Sequence, residues 1–518
     1  MLPPAGDMPS PQVDKICRLQ YNDPNASELE SEKKMVFSSL FFLYAFLPAS
    51  LLVYWLCPTL KAKNISLLVF SLIFYTWGEP RYVLLLAAMA AFDWAYALGI
   101  AKARRRGERG KRWLVLACVT DLALIGFFKY SGMICSIFGE PPAFVRNIGL
   151  PLGISFYTFQ LLTYVVDVYR GEAKAQRRYW HVLLYAALFH QCIAGPIVRY
   201  GSIAGELYRR RTGELPEGVL RFSLGLAKKT LLANPCGALA DSMLLTDAAI
   251  GDVSRLTENL TALTGRSALG LWLGIIAFSL QIYFDFSAYS DMAIGMGRML
   301  GLHYPENFDH PYVSGSATEF WRRWHMSLST FFRDYVYIPM GGSRGSKLRT
   351  LWNLLAVWAL TGLWHGANWT FVLWGLYWFV FAALERTLRE PFSRLPKAVT
   401  APLSHIYLPL VAVLGWVLFK FTDVRLAAAV FRGLFGMNGN AASDFSAVIT
   451  LKNNMYFLAF CLLTVTPIWQ KLLFRPAWIS GKGVMRWVLC GALPVVFLLL
   501  STAALVGNSY NPFLYFKF

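Results

Sequence analysis

The run Ala367-Asn368-Trp369-Thr370-Phe371-Val372-Leu373-Trp374-Gly375-Leu376-Tyr377-Trp378-Phe379-Val380-Phe381-Ala382-Ala383-Leu384 carries no charged residue. A helix of about 20 such residues crosses a bilayer. Val36 to Leu60 is a second uncharged run of this kind. Further apolar runs lie between them, separated by short basic loops, and this pattern makes the chain an all-α polytopic membrane protein. A transmembrane β-barrel would show short alternating segments instead. Just ahead of the opening run stands Thr361-Gly362-Leu363-Trp364-His365-Gly366. Upstream lie Trp321-Arg322-Arg323-Trp324-His325, Phe332-Arg333-Asp334-Tyr335 and Gly341-Gly342-Ser343-Arg344-Gly345. Two histidines, several arginines, amides, hydroxyls and tryptophans thus crowd between Glu319 and Trp369. Ionisable groups at membrane depth are costly, so this stretch is the first place to look for function.

Charged residues make up 15% of the chain, where a soluble domain carries roughly 25%. The net charge is +19. Lys and Arg sit in the short loops, so the excess reads as the positive-inside pattern and not as a nucleic-acid interface. The resulting field on the cytoplasmic face favours a phosphate-bearing substrate. Cys57, Cys118, Cys192, Cys461 and Cys490 lie in or beside apolar runs, and no CxxC pair occurs. Cys192 follows His190 by two residues, but no second pair completes a zinc site, so no metal is expected. No Gly-x-Ser-x-Gly elbow or His-Glu-x-x-His motif stands at the centre.

Residues 1–34 are polar and lack the apolar core of a signal peptide. They read as a disordered tail, with Met35 as a candidate natural start, ahead of a membrane domain over 35–518. The strongest basic loop, Arg104 to Arg112, is placed in the cytoplasm, which puts the N-terminus outside. Helices are expected over about Val36–Leu56, up to Trp77-Gly78, over Tyr82–Ala101, to an exit near Lys129-Tyr130, and from Gly153 to the basic loop Arg170–Arg178. Trp180 to Val198 breaks the alternation, because both flanks are basic. With His190-Gln191-Cys192 and the Ala194-Gly195-Pro196 break, it reads as re-entrant. Arg221, Lys228 and Lys229 make a helix near Leu220–Leu232 amphipathic. Asp241–Arg266 suits an outer loop. Ala268–Met299 is a long helix whose Asp285 and Asp291 face the bundle interior as polar glue or, less simply, as a proton relay.

Thr318–Met340 reads as an interfacial segment. Leu351–Trp364 spans fourteen residues, about 21 Å of helix, against a hydrocarbon core of about 30 Å. Counted from Arg349, His365 then sits within the membrane. Later helices are expected over Ala367–Leu384, His405–Leu418, Tyr456–Leu473 and Trp487–Val506, with the C-terminus outside. No internal repeat is evident, which counts against repeat-built transporters.

Each candidate has a plain structural alternative. His365 is either a helix-ending histidine bonded to a carbonyl or an acid–base group, and its depth, Gly366 and Asn368 favour the second. His325 sits among residues that equally anchor an interfacial segment. Arg322, Arg323, Arg333 and Arg344 are phosphate ligands or snorkelling anchors. The glycine-rich turn 341–345 does not match a P-loop.

These residues resemble the membrane-bound O-acyltransferase family, and within it the bacterial alginate O-acetyltransferase branch. The resemblance rests on Glu319–Ser329, Phe332–Pro339 and Gly362–Gly366. It extends to Gly153–Gln160, Ala194–Arg199, Asp285-Phe286-Ser287, Tyr289–Ala293 and Pro512-Phe513, and covers Met35 to Phe518. Residues 1–34 and His190, where proline is expected, depart from the pattern. The resemblance implies a bundle of about 11–13 helices with re-entrant segments and a central tunnel. It implies His365 and His325 as catalytic residues. Arg322, Arg323, Trp324, Arg333, Asp334, Trp364 and Asn368 are the substrate-binding candidates that go with them.

The implied reaction carries an acetyl group from a cytoplasmic donor, acetyl-CoA, across the bacterial inner membrane to an exported envelope polysaccharide such as alginate, with no bound cofactor. A periplasmic acetyltransferase partner is implied as well. One rival reading takes the acyl group from a carrier protein, as in D-alanylation, and another delivers it to peptidoglycan. A rival of a different class is a saccharide carrier that performs no chemistry.

Overall fold

A computed structural model describes residues 35–507 except 147, 194, 211–213 and 482. The expected tail over 1–34, Ala194 and the Pro512-Phe513 match lie outside the described residues. Every regular element among the described residues is helical. Eighteen helices carry the argument. They are α1 (Phe42–Leu56), α2 (Leu60–Gly78), α3 (Val83–Arg105), α4 (Lys111–Phe138), α5 (Ile154–Arg170), α6 (Tyr179–Ala187), α7 (Tyr200–Tyr208), α8 (Leu215–Ala227) and α9 (Asn234–Met243). After them come α10 (Ala268–Met299), α11 (Ala317–Arg323), α12 (Met326–Phe332), α13 (Lys347–His365), α14 (Trp369–Ser393), α15 (Lys397–Lys420), α16 (Val424–Leu434), α17 (Phe445–Thr464) and α18 (Val484–Gly507).

Seven of the described helices are long and apolar enough to cross a membrane: α3, α4, α10, α14, α15, α17 and α18. α10 is the central pillar. Its most apolar window is 83% buried, whereas the other six range from 17% to 39% and turn apolar side chains outward. A protein dissolved in lipid has no reason to hide such surface. α8, α9 and the π turn Lys228–Ala233 between them pack along α10.

The pillar supplies partners for the charges of this amphipathic segment: Arg221 on α8 and Lys228 and Lys229 in the π turn face carboxylates of the protein. Lys229 Nζ lies 2.7 Å from Asp285 Oδ1, and Lys228 Nζ lies 2.5 Å from Asp291 Oδ2. Arg221 reaches both Asp291 and Glu306. The expectation that Asp285 and Asp291 act as interior glue fits these contacts. A π turn shifts the helical phase locally, and here it spans the two lysines.

α4 does not exit near Lys129. It continues to Phe138, and Lys129 is buried in the bundle. α6 is nine residues long, about 13 Å, too short to cross. Residues 188–193 and 195–199 then run without helix and are almost wholly buried. Side chains supply the missing backbone partners. Tyr185 donates to Val198 O at 2.7 Å, Gln191 donates to Tyr185 O at 2.6 Å, and Phe189 N–H donates to Ser71 Oγ at 3.2 Å. This is the re-entrant character read from the sequence. His190 is enclosed there, its Nδ1 2.5 Å from Tyr304 Oη.

Two boundaries also move. α17 begins at Phe445, where the Asp444 side chain caps it, and ends at Thr464 before Pro467, so the helix expected over Tyr456–Leu473 lies about three turns further back. α16 went unforeseen, because it is amphipathic and short.

α13 and α14 form a tight antiparallel pair. A Cβ at Gly362 would fall on the carbonyl oxygen of Phe371, and one at Gly375 on that of Trp358. Gly362→Ala is therefore expected to destabilise the protein by about 1–3 kcal/mol through overpacking. Thermal unfolding in detergent checks this; an unchanged midpoint would mean that the two helices have slack.

Candidate active site

α13 ends at His365, and α14 starts four residues later. α13 begins at Lys347 and is nineteen residues long, about 28 Å. Helix length alone therefore no longer places His365 at half-depth. What the structure shows is enclosure by protein: the residue is 5% exposed. Its ring packs edge-on against Trp364, Trp374 and Phe419, with centroids 4.8, 4.9 and 5.1 Å away. Gly366 does not open the backbone to a substrate, as its position had suggested. The ring of Phe371 occupies the place a Cβ would take.

His325 arrives from the other side. It links α11 to α12 in left-handed backbone, φ 42° and ψ 54°, a conformation that strains any residue with a Cβ. Asn307 secures it. Met326 N–H donates to Asn307 O at 3.0 Å, and Asn307 Oδ1 lies 3.1 Å from His325 Nδ1. The same oxygen accepts from Ser327 Oγ at 2.9 Å, while Asn307 Nδ2 donates to Ser290 Oγ of α10 at 3.1 Å. Ser327 Oγ in turn accepts from Ile197 N–H at 2.9 Å, which ties the re-entrant segment to the same hub. His325 is fully buried, with Phe286 4.7 Å from its ring.

The two imidazoles share Trp364, which lies 4.8 Å from His365 and 5.8 Å from His325. Trp324 joins the same aromatic enclosure through Trp416 at 4.8 Å. Asn368 is half-buried at the start of α14, where its carbonyl accepts from Phe371 N–H at 3.1 Å.

The arginines stand apart from this centre. Arg322 is exposed, and Arg323 pairs with Glu319 at 2.9 Å. Arg333 and Arg199 both grip Asp334, each at 2.6 Å. Arg170 donates to the Asp334 carbonyl at 2.8 Å and lies over the Tyr335 ring. Burial pushes the Asp334 carboxyl upward, but the hydrogen bonds from Arg333 and Arg199 outweigh it and hold the group below its usual range. The sequence candidates thus fall into two sets: an enclosed centre of His325, Trp364, His365 and Trp324, and a surface cluster around Asp334.

Sequence reading missed Asn307 and Lys129. Asn307 lies in a loop with no motif of its own. Lys129 reads as a helix end, although a lysine inside an apolar run is itself a signal.

Comparison with known proteins decides what this architecture is. Residues 170–426 match the membrane-bound O-acyltransferase family. A protein of Azotobacter vinelandii named "Probable alginate O-acetylase AlgI" is 36% identical, over 93% of this chain and 100% of its own length. The chain belongs to the membrane-bound O-acyltransferase family. It falls in the alginate O-acetylase branch, as the likeness to the protein of the same name in Pseudomonas aeruginosa also shows, at 35% identity over the same shares. A peptidoglycan O-acetyltransferase of Helicobacter pylori is 28% identical over 93% of this chain and 98% of its own. As a family member the protein is a multi-pass membrane O-acyltransferase, and acyl transfer to oxygen is chemistry for which imidazoles in a water-poor enclosure are suited.

Proposed function

We propose that this acyltransferase moves an acetyl group from acetyl-CoA, taken from the cytoplasm, to hydroxyls of an exported envelope polysaccharide such as alginate. The observation that carries the proposal is the end-to-end likeness to the alginate O-acetylase of A. vinelandii. The convergence of His325 and His365 on Trp364 supports it.

In this reading His365 takes the proton of the acceptor hydroxyl, whose oxygen attacks the thioester carbonyl. Coenzyme A leaves as a thiolate and collects that proton. His325, held by Asn307, orients the reacting groups, and Asn368 polarises them. Arg322 and Arg323, with the Arg333–Asp334 cluster, receive the donor's phosphates. The protein sits in a bacterial inner membrane with both termini outside, and a tunnel joins the two faces. A periplasmic acetyltransferase is its partner on the outer face.

The rival reading from D-alanylation takes an acyl carrier protein as donor, and a teichoic acid D-alanyltransferase of Bacillus subtilis is 31% identical over 46% of this chain and 58% of its own length. Sided proteoliposomes separate the two. Acetyl-CoA supplied to the face bearing the Arg104–Arg112 loop is expected to be consumed, and the same donor on the opposite face is not. Consumption of an acyl carrier protein alone would overturn the acetyl-CoA assignment.

A further inference from the structure

Lys129 carries a buried side-chain amine that the reaction as described leaves without a task. It lies on α4 and is 8% exposed. Its ammonium donates to the carbonyl of Trp364, the residue just before His365, and to Ser155 Oγ at 3.3 Å. It also lies 5.9 Å from the centroid of the Trp364 ring. The next residue, Tyr130, donates to the carbonyl of Leu363 at 2.6 Å. Among the described residues no carboxylate lies within ion-pair distance of Lys129. Its neighbours are the end of a helix, an alcohol and an indole.

Three physical facts meet at this point. The last carbonyls of a helix have no intrahelical donor and must find one. A cation at the C-terminal end of a helix is favoured by the aligned peptide dipoles. A lone ammonium in a protein interior is expensive unless its hydrogen bonds are worth more than they would be in water. The hydrogen bonds to the Trp364 carbonyl and to Ser155 Oγ anchor this side chain to the end of α13, one residue before His365.

We propose that Lys129 is a positioning residue for acyl transfer: by holding the Trp364 carbonyl it fixes the end of α13, and with it the place of the His365 imidazole. The kinetic part rests on the acetyltransferase reading above; the structural part does not. A small displacement of a reacting group is enough to cost about 10²-fold in rate.

The experiment uses the purified full-length protein, with Lys129→Met and Lys129→Arg beside wild type. Lys129→Met is expected to lower kcat on acetyl-CoA by about 10–100-fold while KM moves less than about twofold, and Lys129→Arg to recover most of the loss. A loss confined to KM, or a kcat within about twofold of wild type, would overturn the proposal. Amide hydrogen exchange over residues 363–368 needs no substrate. It is expected to speed up by about tenfold in Lys129→Met and to stay near wild type in Lys129→Arg. Unchanged exchange in Lys129→Met overturns the proposal whatever the donor. An inactive wild type with the expected exchange pattern instead overturns the acetyl-CoA reading alone. Should Lys129→Met not fold, Ser155→Ala leaves the charge in place and releases one of its two anchors; exchange over 363–368 indistinguishable from wild type would then count against the proposal.

Discussion

Asp285→Asn is expected to destabilise the folded protein by about 3–5 kcal/mol, the scale of a buried ion pair that loses one partner. The size follows from enclosure. The side chain of Lys229 is 1% exposed and that of Asp285 is 3% exposed, and their charged atoms are 2.7 Å apart. Asparagine keeps the shape and removes the charge, so Lys229 stays in the interior without its counter-ion. Removing both charges together, as Lys229→Met with Asp285→Leu, is expected to restore most of the stability, because neither side chain is then a stranded ion. Unfolding midpoints in detergent read both outcomes. Equal midpoints for wild type and Asp285→Asn would mean that this pair does not hold α8 and α9 to the pillar.

His365→Ala is expected to lower acyl transfer by about 10²–10⁴-fold, the usual worth of a positioned acid–base group. The loss is chemical and not structural in this account. His365 is surrounded by the rings of Trp364, Trp374 and Phe419; Trp374 and Phe419 pack on one another, and Trp364 packs on Phe156 and Phe159 of α5. His365→Gln keeps most of the side-chain volume and is expected to be equally inactive, which separates lost acid–base chemistry from a cavity. O-acetyl groups on the exported polysaccharide, measured in cells carrying each variant, are expected to disappear in both. An active His365→Gln would reduce the histidine to a packing residue.

Much of this was legible before any coordinates. Uncharged runs and basic loops gave the membrane class, because lipid forces backbone polar groups to be satisfied within helices. The dense stretch around His365 stands out because its ionisable groups interrupt apolar runs. The contacts of the charged residues were not legible. Lys228 and Lys229 read as a polar helix face, and Lys129 as a helix end. Their partners, Asp285, Asp291 and the carbonyl of Trp364, lie between 56 and 235 positions away in the sequence. Composition rules see that a charge is present, not what it meets. Asn307 escaped for a related reason: its role is to stabilise the left-handed backbone of His325, and positive φ at a non-glycine residue leaves no mark in a sequence. Gly366 misled in the opposite direction, since a glycine that admits a phenylalanine ring looks the same as one that admits a substrate.

The most direct test of the central claim is release of free coenzyme A thiol from acetyl-CoA by the purified protein, wild type beside His365→Ala, with both shown to be folded. Turnover by the wild type that vanishes in the variant is the expected result, and it would establish an acetyltransferase whose chemistry runs through His365. Turnover that persists in His365→Ala would contradict the catalytic assignment at its centre.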